Sequence, residues 1–152
     1  MFRRIKELFN VKAPSLEEER QEFAVNVIHE HTNHVLSSLA RPYENDWTEA
    51  TRATVMGYVV GSTYEYAFLT PEARQEAALD VIKRFGDTKL DLVLFNAELA
   101  RYAAEASKYY ELGLEAAKCD NLAGRKGDLV FAFMEAVRYP DEKTFRVEDL
   151  RY

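Results

Sequence analysis

Apolar residues recur three and four positions apart along most of the chain, and a helix-start signal stands ahead of each run. The signals are Ser15-Leu16-Glu17-Glu18, Asp46-Trp47-Thr48-Glu49, Thr70-Pro71-Glu72, Asp87-Thr88 and Gly127-Asp128. Capping residues and a helical hydrophobic period agree at each of them, which is the mark of amphipathic helices. The pattern predicts an all-α fold, a single compact bundle of about five helices, flanked by a short N-terminal amphipathic helix and a C-terminal arm. Residues 1–152 read as one domain, with 1–13 as the amphipathic segment and 141–152 as the arm.

In Met1–Val11, Phe2, Ile5, Leu8 and Phe9 share one side while Arg3, Arg4 and Lys6 lie elsewhere. So short a helix is unstable alone in water and has to dock on something. The body of the same chain, a partner protein and a lipid surface are the candidates. Ser15 and Glu18 predict a capping box opening a helix to about Leu39. Its buried stripe reads Phe23, Ala24, Val27, Ile28, His31, Val35 and Leu39. Asp46 is the expected cap of a second helix that reaches toward Leu69 and has little polar surface, so it reads as central. A rival reading makes Val59–Val60 and Thr63–Phe68 strands, because β-branched and aromatic residues are concentrated there. Thr70-Pro71 opens a third helix facing inward through Ala73, Ala77, Ala78, Val81, Ile82 and Phe85, and Gly86 is placed to end it. Asp87 or Thr88 then starts a long helix to about Lys118, with Gly113 as the place where it bends or stops. A last helix spans Asp128–Arg138.

Charge and cysteine content narrow the function classes. A net charge of −6 argues against general nucleic-acid binding. The basic residues Arg3, Arg4, Lys6 and Lys12 are concentrated in 1–13, so the remainder is more acidic still. The single Cys119 cannot make an internal disulfide and fits a reducing, cytoplasmic setting. It falls near a helix end, where the dipole disfavours the thiolate. No run of about 18 apolar residues is present, so no membrane span is expected. Met1–Asn10 lacks the apolar stretch of a secretory signal.

Candidate chemistry is sparse. His29, His31 and His34 cluster, and imidazoles invite a transition metal. On a helix His31 and His34 are neighbours, as are Glu30 and His34, whereas His29 points elsewhere. His31, His34 and Glu30 would therefore hold an ion only with help from another helix, and Glu65 or Asp91 are the acids available. The better reading makes His31 a hydrogen-bonded histidine at the core edge, with His29 and His34 solvated. Ala53, Gly57 and Gly61 repeat every four residues and predict close approach of another helix, since glycine in a helix costs about 1 kcal/mol relative to alanine. Glu65 on that helix reads as a rim carboxylate. Glu98–Arg101, Arg101–Glu105 and Glu105–Lys108 read as a solvated salt-bridge ladder. No catalytic triad spacing, phosphate loop or zinc-protease motif is present. The chain holds nine tyrosines and nine phenylalanines, and tyrosine is favoured at interfaces. The expected role is a non-catalytic, regulatory protein-binding module that self-associates, with Phe2, Ile5, Leu8, Phe9, Tyr109 and Tyr110 as interface anchors. The alternatives are a metal-binding bundle using His31 and His34, with no other cofactor implied, and a peripheral membrane protein held by residues 1–11.

Overall fold

The computed structural model describes residues 15–38, 48–85 and 89–123, together with residues 13, 132, 134, 136 and 137. All regular structure among them is helical: α1 (Leu16–Ser38), α2 (Glu49–Thr63), α3 (Pro71–Arg84), α4 (Leu92–Ala104) and α5 (Lys108–Ala123). Residues 132, 134, 136 and 137 are also helical, and Ala132 and Ala136 are wholly buried. The N-terminal segment with Phe2, Ile5, Leu8 and Phe9 lies outside the described residues, as do Asp46, Gly86, Asp87, Thr88, Asp128 and the arm 141–152.

The capping box of α1 forms as the sequence predicts. Glu18 N donates to Ser15 Oγ at 3.2 Å, and Ser15 N donates to Glu18 Oε2 at 3.3 Å. Its inner face differs from the expected stripe. Ala24, Val25, Ile28 and Thr32 are buried, whereas Phe23 stands 57% exposed. A shift of about one residue in phase suffices, because an apolar stripe on a long helix is wide.

α2 is the central helix: all its residues except Glu49, Arg52 and Val60 are buried. Its cap is Thr48, which accepts from Thr51 N at 3.2 Å. The hydroxyls of Thr54, Ser62 and Thr63 bond back to the carbonyls of Ala50, Tyr58 and Val60 at 2.9, 2.8 and 2.6 Å. That internal pairing lets polar residues enter a core without leaving an unmet donor. Val59 and Val60 belong to this helix, so the rival strand reading fails. Helix-end turns follow, with Tyr64 N on Gly61 O and Tyr66 N on Thr63 O at 3.2 and 3.1 Å. Burial on nearly every side outweighs the modest propensity cost of β-branched residues in a helix. α3 opens at Thr70-Pro71 as expected, with Ala73 N on Thr70 Oγ1 at 3.2 Å.

The long helix expected over Asp87–Lys118 is two helices. Asp91 caps α4 by accepting from Leu94 N at 2.8 Å. α4 ends at Ala104 with Glu105 as its cap, and Ala106 beyond it takes a left-handed φ of 48°. Ser107 N donates to Tyr102 O at 2.9 Å and Ala106 N to Ala103 O at 3.2 Å, the paired bonds of a Schellman ending. Ser107 then caps α5 by accepting from Tyr110 N at 3.3 Å. Gly113 does not break the helix; it lies in the middle of α5.

Gly113 has a packing role instead. α2 and α5 make the most extensive contact in the fold. A Cβ at Gly113 would lie 2.7 Å from Tyr58 N and closer still to Thr54 O. A Cβ at Gly57 would run into the Tyr110 carbonyl, and one at Gly61 would lie 2.7 Å from the Ala117 Cβ. As α2 advances from Gly57 to Gly61, its nearest neighbours on α5 advance from Tyr110 and Leu114 toward Ala117. The two helices therefore run in the same sense, and α3 and α4 supply the crossover that neighbours of this kind require. α1 packs on α3, fastened by Arg84, which donates to Asn26 Oδ1 at 2.6 Å and Glu22 Oε1 at 2.7 Å.

Candidate functional site

The candidate site is surface that the described residues leave uncovered, and α4 supplies most of it. Only Phe95 and Tyr102 of α4 are buried, with Glu98 and Leu99 half-buried beside them. On the opposite side Val93, Ala97, Ala100 and Ala104 are all exposed, Val93 to 77%. At 100° per residue these four fall within about 60° of one another and nearly opposite Phe95. Leu92 and Leu94 flank the stripe and are exposed as well. α4 is therefore apolar on two faces, of which the described residues cover one.

The covered face is fixed by a polar network. Arg52 of α2 donates to Glu98 from Nε at 2.6 Å and from a terminal nitrogen at 2.9 Å. Tyr102 OH donates to the same carboxylate at 2.7 Å. Burial alone would raise the Glu98 pKa, but the hydrogen bonds from Arg52 and Tyr102 and the nearby guanidinium charges hold it below its ordinary value. Arg101 pairs with Glu49 of α2, reaches Glu105 at 3.4 Å and lies 4.9 Å from the Tyr102 ring centroid. The expected ladder is thus corrected. Glu98 turns inward to α2, because it shares a face with Phe95 and Tyr102, and Arg101–Glu105 is the ion pair of that row seen among the described residues.

The predicted anchors and ligands separate. Tyr109 is wholly buried, so it is a core residue and offers no surface to a partner. Tyr110 is half-buried and stacks on Tyr102, with centroids 5.3 Å apart. Its hydroxyl pKa is pushed up to about 12 by burial and then by Tyr64. Ala53, Gly57 and Gly61 are all buried, the two glycines against α5. His29 lies against the Phe85 ring at 5.0 Å, His31 faces the Tyr58 ring at 6.3 Å, and His34 and Glu30 are exposed. Burial, then the Arg84 charge, lowers the His29 pKa. Among the described residues no group of three or more His, Cys, Asp or Glu side chains is placed to hold a metal ion. Glu65 is exposed at the rim.

Some features escape sequence reasoning. A buried pair joins α2 to α5, with Tyr58 OH donating to Asp120 Oδ2 at 2.6 Å. Burial and that bond together raise the Tyr58 pKa far above its ordinary value. Phe23, Tyr66 and Phe68 form an edge-to-face aromatic row between α1 and the turn after α2, with Arg20 over Phe68. A cleft of about 360 Å³ opens between α2, α3 and α4, lined by Val60, Tyr64, Arg74, Ala78, Phe95 and Leu99 among others. The residue types gave hints of burial or exposure, but partners some tens of residues apart leave no local signature. Among the described residues no helix is long and apolar enough to cross a membrane. No family model, curated protein or solved structure matches this chain.

Proposed function

We propose that this chain is a non-catalytic helical protein-binding module that pairs with a second copy of itself through the outer face of α4. The observation behind this reading is the exposed stripe Val93, Ala97, Ala100 and Ala104. Its steps of four, three and four residues read the same from either end. A two-fold antiparallel pairing therefore sets Val93 against Ala104 and Ala97 against Ala100 of the copy, as an isologous interface requires. The stripe carries no charge, and small side chains allow close approach of two backbones. Antiparallel helices also oppose their dipoles favourably. The lone Cys119 fits a reducing, cytoplasmic setting for such a module.

The interface is small. A helix of this length spans about 20 Å, and one face of it falls well short of the roughly 800 Å² per partner of a standard interface. Pairing is then weak and concentration-dependent. Sedimentation from about 5 to about 500 μM, spanning the range expected of small transient contacts, should show the mass rising from one chain toward two. Val93→Glu with Ala100→Glu should stay monomeric while keeping the helical spectrum. A wild-type mass that is flat at one chain over that range, or a charged variant that pairs equally well, would refute the reading.

A further inference from the structure

The cleft beside Arg74 lies on the opposite side of α4 from the stripe and has a chemistry of its own. Its lining is largely apolar: Val60, Pro71, Ala78, Phe95 and Leu99, with Tyr64 and Tyr110 beside them. Gln75, at one edge, donates its side-chain amide to Asn96. Arg74 is the only ionised group among the described lining residues. Its guanidinium carbon lies 5.6 Å from the Tyr64 ring centroid. Its Nε is buried and has no hydrogen-bond partner among the described residues. A buried guanidinium N–H with no acceptor is costly, and such donors are normally met. A volume of about 360 Å³ is within the range of small-molecule sites.

We propose that this cleft binds a small apolar monocarboxylate, with the carboxylate on Arg74 and the apolar body against Val60, Pro71 and Leu99. The planar guanidinium matches a carboxylate in a two-point contact. One cation balances one negative charge, and among the described residues no second cation lines the cleft to accept a doubly charged phosphate. The Tyr64 face holds the guanidinium in place from one side, which limits the freedom lost on binding. The Thr63 hydroxyl is committed to Val60 O, and Tyr110 stacks on Tyr102, so the lining is largely fixed before a ligand arrives.

The test uses the full chain at low protein concentration and titration calorimetry with three probes: decanoate, decanol and inorganic phosphate. Decanoate should bind at least about tenfold more tightly than decanol, the factor expected of a charge-assisted hydrogen bond. Phosphate should give no heat of binding. Arg74→Met keeps the apolar stem and removes the charge, so it should abolish the preference for decanoate while leaving decanol binding within about twofold. Leu99→Trp, which narrows the cleft, should weaken both chain ligands, with the helical spectrum confirming that each variant folds. Equal affinity for decanoate and decanol in the wild type, absence of decanoate binding, competition by phosphate, or an undiminished preference in Arg74→Met would each overturn the assignment. The Val93→Glu, Ala100→Glu variant should bind decanoate like the wild type, which separates this proposal from self-association.

Discussion

Replacing Gly113 by alanine sets two effects of opposite sign against each other. Alanine is favoured over glycine within a helix by roughly 0.8–1.0 kcal/mol, so propensity alone makes the variant more stable. Packing opposes it. The added Cβ would lie 2.7 Å from Tyr58 N, 3.0 Å from Thr54 C and closer still to Thr54 O. These are backbone atoms of α2, and they cannot rotate away. Ordinary contact begins near 3.4 Å, so relief requires the α2–α5 spacing to open by something on the order of 1 Å. A gap of that size forfeits about a quarter to a half of each dispersion contact it touches. The loss spreads along the crossing, because Gly57 on Tyr110 and Gly61 on Ala117 depend on the same spacing. Overpacking of this kind costs about 1–3 kcal/mol or more, and here it falls on the largest interface of the fold. Backbone atoms on the facing helix put this clash at the upper end of that range, so a net loss of about 2 kcal/mol is expected after the propensity gain is subtracted. Equilibrium urea unfolding followed by circular dichroism reads it directly, as a lower midpoint at unchanged slope. For a domain of this size the melting temperature should fall by about 4–8 °C. Gly57→Ala should behave alike, and Gly61→Ala should cost less, since its nearest backbone contact is 3.3 Å. A Gly113→Ala protein as stable as the wild type, or more stable by about the propensity difference, would show that the two backbones are not in contact there.

Other substitutions probe single interactions. Ala106 holds a left-handed φ of 48° at an exposed position, so Ala106→Gly should raise the stability by up to about 1 kcal/mol, read by the same urea titration. Tyr58→Phe removes a donor from the buried Asp120 carboxylate and should lower stability by about 1–3 kcal/mol; a change below about 0.5 kcal/mol would mean the bond contributes nothing net. His29 has a folded-state pKa below its ordinary value of 6.5, so the unfolded chain takes up a proton more readily there. Its contribution is fully present above 6.5 and is lost as the pH falls below it toward the folded-state pKa. His29→Gln should flatten that part of the stability–pH curve, and an unchanged slope would place the titration elsewhere.

The sequence by itself determined the helical class and the ends that carry their own chemistry. Ser15 with Glu18 and Thr70 with Pro71 were legible because a cap bonds to residues only two or three positions away. The inner face of α3 was legible for a similar reason, since Ala73, Ala77, Ala78, Val81 and Ile82 follow a simple helical period. The break at Ala106 was not legible. Alanine is the strongest helix former, and nothing local to the sequence marks the left-handed φ of 48° there. Gly113 drew the opposite error, because glycine signals a break in isolation but permits contact when another backbone lies within reach. Burial of Tyr109, the inward turn of Glu98 to Arg52, the Tyr58–Asp120 pair and the cleft at Arg74 were decided by tertiary structure alone. Each depends on which residues distant in sequence become neighbours. Hydrophobic period says that a face is apolar; only the packed arrangement decides whether the protein covers that face, as with Phe95 and Tyr102, or leaves it open, as with Val93 and Ala97.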